Sequence, residues 1–342
     1  MTDHLVTSRI IELDKPRNIV VREETLDLTR LKPSELAGRT IYSAVSPGTE
    51  IAAYVGDPPL RPMKVYPRVV GYCNVAEVIG VGADVTDYKV GDRILNFQSH
   101  RSNFICSEQS VAALIPQDCR DLVAVSTTYL FHLGYNALLK GNFRPGMSVA
   151  VIGLGTLGLT TLALASSFGG VVYALSDQKE SLDKAVKFGA ESVYLKSGTG
   201  SVDDIRRQTE GGVDLVITTS GRWDDWLLAL RLARKEGCIC VIGFPGRTEP
   251  IPGFNPLDSS YFYDSQLKIV SCGYTPHLDV PPYDIRFTMK RNCSFLLKQV
   301  IRGKLPALEI VSKVVPWREI QGLYDTMASH EPGFLTGVLD WT

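Results

Sequence analysis

A glycine-rich turn at residues 153–158 is the stretch of this sequence whose residue spacing most clearly indicates chemistry. Gly153, Gly155 and Gly158 follow the apolar run 149–152 and precede a helix-like stretch and a second apolar run at 171–175. In a strand–turn–helix of this kind, the glycines permit a tight turn, let a pyrophosphate approach the backbone, and let the helix pack on the sheet. The helix N-terminus would face the phosphates. The spacing therefore predicts dinucleotide binding, with a glycine-rich turn of another α/β unit as the alternative.

The composition shows no dominant charge. The 342 residues suffice for about two domains, and 36 Lys and Arg against 37 Asp and Glu give a formal net charge of −1. This balance argues against nucleic acid or an anionic membrane as the main partner. No apolar run reaches the roughly 18 residues of a membrane span, and residues 1–9 lack the apolar core of a signal peptide. A cytoplasmic protein with a small-molecule substrate is therefore expected.

The seven cysteines are scattered along the chain and include no C-x-x-C pair. Reduced, mostly buried thiols are predicted, and a zinc cluster built from them is not. Cys238 and Cys240 fall in one strand-like run and are expected to point to opposite faces of it.

The pattern of apolar runs changes near residue 122. Before it, short β-like runs alternate with turns that contain Pro and Gly, which indicates a β-rich domain. Residues 122–139 can form a helix, and after the glycine-rich turn strands and helices alternate, as is typical of a parallel sheet with right-handed crossovers. The predicted fold class is α/β, with a β-rich domain joined to a doubly wound parallel sheet.

Several motifs beyond the glycines are shared with one family. The matching segments are G-T-E at 48–50, P-x-x-x-G-Y at 67–72 with its continuation to Gly82, V-G-D-R-I at 90–94, the approach to the glycine turn at 144–153, and the helix end at 184–190. Through these motifs the chain resembles the medium-chain dehydrogenase/reductase superfamily over nearly its whole length. The resemblance implies a GroES-like catalytic domain (residues 1–130 and 273–342) and a Rossmann dinucleotide-binding domain (residues 131–272), with the active site in the cleft between them.

The departures from this family concern its catalytic zinc. Zinc-dependent members hold the ion on Cys, His and a further Cys or Glu, and in an ungapped alignment these positions fall on Pro47, Tyr72 and Tyr129. None is a good zinc ligand, and the cysteine-rich lobe that holds a structural zinc is missing, so no metal is expected. Residues 43–50 resemble the S-x-x-S-x-G-T-E branch, which includes bacteriochlorophyllide dehydrogenases and zinc-free alcohol dehydrogenase-like proteins.

Without a zinc ion acting as Lewis acid, a hydrogen-bond donor or a general acid or base must handle the substrate oxygen. The candidate catalytic residues are Thr49, Tyr72, Tyr129 and His132. Thr49 takes the place of the hydroxyl residue that relays the substrate proton in zinc-dependent relatives, and the tyrosines could supply O–H groups. His132 shares a helix face with Tyr129 and ordinarily titrates near neutrality. The alternatives are that the tyrosines fill the volume of the missing metal, that Thr49 bonds to backbone, and that His132 is a packing residue.

Two further polar residues are not expected to take part in catalysis. Glu50 is expected to pin its domain through an arginine. His100 lies in the short polar stretch 98–102 and is expected to be exposed.

The choice of nicotinamide cofactor depends on one position after the second strand. The predicted cofactor-binding residues are Gly153, Gly155, Thr156, Leu157, Gly158, Ser176, Asp177, Lys179, Ser220, Gly243 and Phe244. An acidic residue at the position after the second strand accepts hydrogen bonds from the ribose hydroxyls and repels a 2′-phosphate. Counted forward from Gly158 the position is Asp177, which suits NAD(H). Counted back from Gly189 it is Ser176, which with Lys179 suits NADP(H), so both cofactors stay open.

The sequence thus predicts a zinc-independent, NAD(P)-dependent dehydrogenase that interconverts a secondary alcohol and a ketone. One alternative is a reductase of an activated C=C bond, as in quinone or enoyl reductases. A non-catalytic dinucleotide-binding protein is an alternative from another class. The resemblance further implies a homodimer or homotetramer in which residues 267–271 pair with their symmetry mate.

Overall fold

The computed structural model describes residues 4–58, 66–198, 200–246, 249–276 and 283–342. Its strands in chain order are β1 (Leu5–Lys15), β2 (Asn18–Asp27), β3 (Glu35–Ala44), β4 (Arg68–Val69), β5 (Cys73–Val81), β6 (Arg93–Asn96), β7 (Asn103–Ser107), β8 (Val111–Ile115), β9 (Ser148–Ile152), β10 (Val171–Ser176), β11 (Ser192–Leu195), β12 (Val213–Thr218), β13 (Ala233–Val241), β14 (Lys268–Ser271), β15 (Val311–Pro316) and β16 (Thr336–Asp340). Its α-helices are α1 (Pro47–Val55), α2 (Leu122–Ser126), α3 (Thr128–Lys140), α4 (Thr156–Ser167), α5 (Lys179–Lys187), α6 (Ser201–Gln208), α7 (Trp223–Leu232), α8 (Met289–Ile301) and α9 (Ile320–Ala328). Within these ranges, no helix has the length and apolar character that crossing a membrane requires.

The chain divides into two compact units. Residues 1–129 and 276–342 form the first unit, and residues 130–275 form the second.

The second unit is built on a six-stranded parallel sheet. Its strand order is β11-β10-β9-β12-β13-β14, and each neighbouring pair is parallel. β9 lies inside the sheet with Val149 to Ile152 all buried, which is why its sequence is a continuous apolar run and not an alternating one. This order is typical of a doubly wound dinucleotide-binding sheet, with the strand order reversing between β9 and β12.

The first unit contains the β-rich part of the chain. In its seven-stranded sheet the path is β15-β16-β3-β5-β6-β8, with β7 also paired to β3. Only β15 and β16 pair in parallel there among the described strands. A smaller antiparallel sheet has the order β2-β1-β4. Together the two units confirm the predicted α/β class, with one β-rich part and one doubly wound parallel sheet.

Helix α1 follows β3 after a short connection and carries several residues of interest. Pro47 stands at its first position, where a proline's fixed φ and missing N–H are tolerated. Gly56 ends it with a φ of +87°, a left-handed cap. Ile51 and Tyr54 of α1 join one apolar core with Tyr324 of α9.

The helix expected over residues 122–139 is interrupted at Thr127, between α2 and α3. The hydroxyls of Thr127 and Thr128 donate hydrogen bonds back to the carbonyls of Ala124 and Val125, at 2.8 and 2.7 Å. Short side chains that bond to nearby backbone in this way compete with the regular helical bonds.

The expectation that Cys238 and Cys240 point to opposite faces was wrong. Residues two apart in a strand share a face, and both lie in β13. The Cys240 thiol is hydrogen-bonded to the thiols of Cys238 and Cys272, and all three are buried.

Candidate active site

The glycine-rich turn leaves β9 at its carboxyl end and enters α4. Gly153 has a φ of +87°, a left-handed conformation that favours glycine. A Cβ on Gly158 would collide with the carbonyl oxygen of Gly153, whereas nothing lies within 4 Å of the Cβ position of Gly155. The fold itself therefore requires the first and third glycines, and the second leaves open backbone that a phosphate can approach.

Thr219, which sequence reasoning missed, fixes this turn. It follows β12 and donates a hydrogen bond from its hydroxyl to the Gly153 carbonyl at 2.9 Å. On the other side, the Gly153 N–H donates to the carbonyl of Leu175 in β10 at 3.0 Å. The turn is thus bound to the strands on both sides of β9. No sequence signal distinguishes Thr219 from the other threonines.

Thr156 and Leu157 form the start of α4, with Gly155 as the N-cap residue. The first backbone hydrogen bond of the helix runs from the Leu159 N–H to the Gly155 carbonyl, at 2.9 Å. The N–H groups before it have no partner inside the helix and give this end a positive partial charge. The residues present therefore fit a pyrophosphate.

Ser220 and Gly243 follow the carboxyl ends of β12 and β13. A Cβ on Gly243 would lie 2.6 Å from the Ser220 carbonyl oxygen, so the two loops approach each other backbone to backbone. Phe244 comes next and is exposed. These three residues and the glycine turn thus follow strands that end at the same edge of the parallel sheet.

The last residue of β10 and the residues that follow it differ in exposure. Ser176 is the last residue of the strand and is buried, and its hydroxyl accepts a hydrogen bond from the Gln178 N–H at 3.1 Å. Asp177 follows, with 63% of its side chain exposed and its carboxylate 3.9 Å from the ammonium of Lys196. Lys179, also exposed, begins α5. Of the two residues on which the cofactor-selecting position can fall, Asp177 is therefore exposed and Ser176 is buried.

In the first unit, three hydroxyl groups gather at the start of α1. Tyr72 donates a hydrogen bond to the hydroxyl of Ser46, the N-cap residue, at 2.5 Å. Thr49, in the first turn of the helix, is exposed. The Tyr72 ring also meets the ring of Tyr129 edge to face, with centroids 5.4 Å apart. Tyr72 therefore contacts Ser46 through its hydroxyl and Tyr129 through its ring, and its hydrogen bond with the Thr49 hydroxyl places Thr49 beside it.

Both tyrosines are held in their neutral form. Burial, followed by the nearby Cys73 and Glu50, raises the pKa of Tyr72 far above its ordinary value, and bonds to the Ser46 and Thr49 hydroxyls only partly offset this. Burial likewise raises the pKa of Tyr129. A phenol with a raised pKa is a poor base at neutral pH but remains a hydrogen-bond donor.

Glu50 and His100 form a buried pair, so the two expectations about them were wrong. His100 is fully buried, and its Nε2 lies 2.8 Å from the Glu50 carboxylate, which pairs with this histidine and not with an arginine. The space exists because residue 71 is glycine: a Cβ there would lie 2.6 Å from the His100 ring.

The remaining hydrogen bonds satisfy both members of the pair. Glu50 also accepts from the Ser46 N–H at 2.6 Å and from the Tyr324 hydroxyl. With the proton on Nε2, His100 donates to Glu50 and accepts from the Ser43 hydroxyl, 2.8 Å from Nδ1. The carboxylate thus has three donors, as a buried charge requires.

His132 lies three positions after Tyr129 on α3 and is fully buried. Burial lowers its pKa to about 4, so its imidazole is neutral at neutral pH. The premise that it titrates near neutrality does not hold, because removal from water disfavours the charged form.

The residues at the family's zinc-ligand positions do not fit a zinc ion. Pro47 offers no donor atom, Tyr72 donates its hydroxyl to Ser46, and the Tyr129 ring packs against Phe97 with centroids 5.2 Å apart. Across the described ranges, no three His, Cys, Asp or Glu side chains are grouped so that they could hold a metal ion.

The buried His132 makes stability depend on pH. Its pKa is about 4 in the folded state and about 6.5 when unfolded, so the unfolded chain binds more protons between these values. We expect the free energy of unfolding to fall by about 3 kcal/mol as the pH drops from 6.5 to 4. Denaturant titrations at several pH values measure this. His132→Gln should make the free energy of unfolding depend less on pH, whereas the same substitution at the exposed His330 should leave the pH dependence as it is. An equal pH dependence in the two variants would contradict the prediction.

The Glu50–His100 pair is expected to be essential for stability. His100→Ala should lower the free energy of unfolding by about 3–5 kcal/mol, because it leaves a buried carboxylate without its partner. Adding Glu50→Gln should recover part of that loss. The matched control is Arg39→Ala, which breaks an exposed pair with Glu77 and should cost less than about 1 kcal/mol. Equal losses in the two single variants, measured by denaturant titration, would refute this.

Known proteins resemble both the sequence and the fold. The family model described as zinc-binding dehydrogenase matches residues 156–287. A sorbitol dehydrogenase from Bacillus subtilis is 25% identical over 59% of this chain, and the chain spans 65% of that protein's length, slightly less than two thirds. A D-guloside 3-dehydrogenase from Escherichia coli is 26% identical over 77% of this chain and 74% of its own length.

A solved structure extends the likeness to the whole chain. L-idonate 5-dehydrogenase from Escherichia coli superposes with a TM-score of 0.82 over 98% of this chain and 99% of its own, at 12% identity. At that identity the likeness concerns the fold. The family model, the dehydrogenase relatives and this common fold agree with the motifs at residues 48–50, 67–82 and 153–158. Residues 156–287 are therefore a domain of the zinc-binding dehydrogenase type, and the chain as a whole is similar in sequence motifs and fold to the medium-chain dehydrogenase/reductase superfamily.

Proposed function

We propose that this protein is a zinc-independent oxidoreductase that prefers NAD(H) and interconverts a secondary alcohol and a ketone. The observation that carries the proposal is the hydroxyl cluster of Ser46, Thr49 and Tyr72 at the start of α1. In the ungapped alignment, Tyr72 falls on one of the ligand positions of the zinc-dependent members, and Thr49 falls on the position of their proton-relaying hydroxyl residue.

Zinc independence is supported by the chemistry of the replacing side chains. The proline side chain has no ligating atom, and a phenol whose pKa burial has raised stays protonated, whereas tyrosine ligates a metal ion as the phenolate. The O–H of Tyr72 is also engaged with Ser46. Each replacement therefore substitutes a neutral hydrogen-bonding or apolar group for a metal ligand.

The exposed Thr49 hydroxyl is the group we assign to the substrate oxygen. Tyr72 donates its one O–H to Ser46 and accepts a hydrogen bond from the Thr49 hydroxyl, so it fixes the Thr49 oxygen without needing to ionise. The remaining lone pairs of that oxygen can accept the hydroxyl group of an alcohol. The N-terminal turn of α1 adds a positive partial charge next to the oxygen. In alcohol oxidation the hydroxyl proton passes through Thr49 to water, since Thr49 is exposed.

A nicotinamide cofactor, when bound, would supply the hydride transfer in either direction. For this chain's own residues, the glycine turn binds the pyrophosphate and the Asp177 carboxylate accepts hydrogen bonds from the adenosine ribose. Because Asp177 is negative and largely exposed, it disfavours a 2′-phosphate, which supports NAD(H) over NADP(H).

The relatives favour an alcohol over an activated C=C bond as the reacting group. Their names include sorbitol, D-guloside and isopropanol dehydrogenases, all acting on hydroxyl groups.

We also propose a cytoplasmic homo-oligomer in which β14, at the edge of the parallel sheet, pairs with a second copy.

Thr49→Val tests the catalytic assignment. Removing the hydroxyl that binds the reacting oxygen should lower kcat by about 10²-fold, while the Kd for NADH, measured by fluorescence titration, stays unchanged. Thr49→Ser keeps the hydroxyl and is the matched control, with most of the activity retained. Full turnover in the valine variant would show that the site is misplaced.

The reaction class and the metal are tested on the purified protein. The protein is incubated with NADH or NADPH and a panel of ketones, quinones and enones. We expect the ketones to cause oxidation of the cofactor, at a rate that does not change when zinc is added. Elemental analysis should find less than stoichiometric zinc. Turnover of enones alone would favour the C=C reductase. Tight cofactor binding without any turnover would favour a non-catalytic role, and one tightly bound zinc per chain would refute zinc independence.

A further inference from the structure

Lys196 lies beside Asp177 at the carboxyl edge of the parallel sheet. It directly follows β11, as Asp177 directly follows β10, and these two strands pair in parallel with Ser176 opposite Leu195. The Lys196 N–H donates to the Ser176 carbonyl at 2.9 Å. Backbone pairing therefore fixes the position of Lys196 next to the proposed ribose-binding carboxylate.

The Lys196 ammonium is shared between two carboxylates of different exposure. Its Nζ lies 2.9 Å from Oδ2 of Asp225, whose side chain is 5% exposed. It lies 3.9 Å from Oδ2 of Asp177, whose side chain is 63% exposed, and Lys196 itself is 14% exposed. The short charge-assisted bond to Asp225 anchors the ammonium. The longer contact leaves Asp177 free to bind a ligand within reach of a fixed positive charge.

Asp177 and Lys196 line one cavity of about 460 Å³. Three aspartates, Asp177, Asp224 and Asp225, contribute acidic groups to it, and Lys196, Arg222 and Arg231 contribute three cations. Leu227 and Leu228 add an apolar wall, which suits a purine base. The charge in the cavity is therefore balanced and not simply acidic.

We propose that Lys196 is the specificity-determining residue that limits how strongly Asp177 excludes a 2′-phosphate. The inference rests on the proposed function, which assigns the ribose hydroxyls to Asp177. A 2′-phosphate in this place meets one repelling carboxylate and one attracting ammonium. Asp225 holds that ammonium in place, whereas Lys179 is an exposed side chain at the start of α5. Selectivity between the two cofactors is thus set by the pair and not by Asp177 alone.

The two charges have opposite effects on cofactor affinity. Lys196→Met should weaken NADPH about tenfold or more and NADH less than about threefold, because only NADPH carries the additional phosphate. Asp177→Ser should weaken NADH and strengthen NADPH, each about tenfold, because Lys196 then faces the 2′-phosphate without competition. Combining Asp177→Ser with Lys196→Met should abolish the gain for NADPH.

Binding is measured by fluorescence titration of the purified protein with NADH and with NADPH, and thermal unfolding checks that each variant is folded. Lys196→Met leaves the buried Asp225 carboxylate without a partner, which destabilises a protein, so Lys196→Met/Asp225→Asn is titrated in parallel. Lys187→Met, an exposed lysine at the end of α5, removes the same charge elsewhere and should leave both affinities unchanged.

The outcomes separate the inference from the function on which it rests. If Asp177→Ser/Lys196→Met keeps the gain for NADPH, or if Asp177→Ser/Lys179→Met loses it, Lys196 is not the determinant. If Asp177→Ser changes neither affinity, the ribose assignment itself is overturned, and the inference with it. The proposal is supported if the higher NADPH affinity of Asp177→Ser disappears only when Lys196 is also substituted.

Discussion

The buried carboxylate of Glu50 is the constraint on which the polar centre of the first unit depends. A charge removed from water must be compensated by donors, and here they come from Ser46, His100 and Tyr324. The bond to the Ser46 backbone fixes the residue that caps α1. The Ser46 hydroxyl then accepts from Tyr72. The orientation of the proposed substrate-binding hydroxyls therefore follows from the need to satisfy one buried charge.

The same principle operates in the second unit with the signs reversed. There the Lys196 ammonium is largely withdrawn from water, and Asp225 compensates it at 2.9 Å. In both units the pair leaves one neighbouring group accessible: the Thr49 hydroxyl in the first and the Asp177 carboxylate in the second. A fixed, satisfied pair beside an accessible polar group is what preorganised recognition requires, since no ordering of the supporting residues is needed when a ligand binds.

Sequence reasoning succeeded where the information is local. The spacing of Gly153, Gly155 and Gly158 and the alternation of strands and helices predicted the α/β fold class and the superfamily. It failed where contacts join distant residues. His100 lies in a polar stretch that suggests exposure, and only its pairing with Glu50 and the missing side chain at Gly71 explain its burial. For Lys196 a usable signal existed, because it directly follows the predicted strand 192–195, but its partner Asp225 stands 29 residues away.

The position of β16 late in the chain affects the order in which the two units can fold during synthesis. β16 pairs with β3, so residues 338–340 complete a sheet that contains residues 42–44. The second unit is continuous, and all its strands are present once residue 275 has been made. The first unit must wait, and Glu50 and Tyr324 are 274 residues apart. On the ribosome, the second unit can fold first, and the proposed catalytic hydroxyls are fixed only once α9 and β16 have been made.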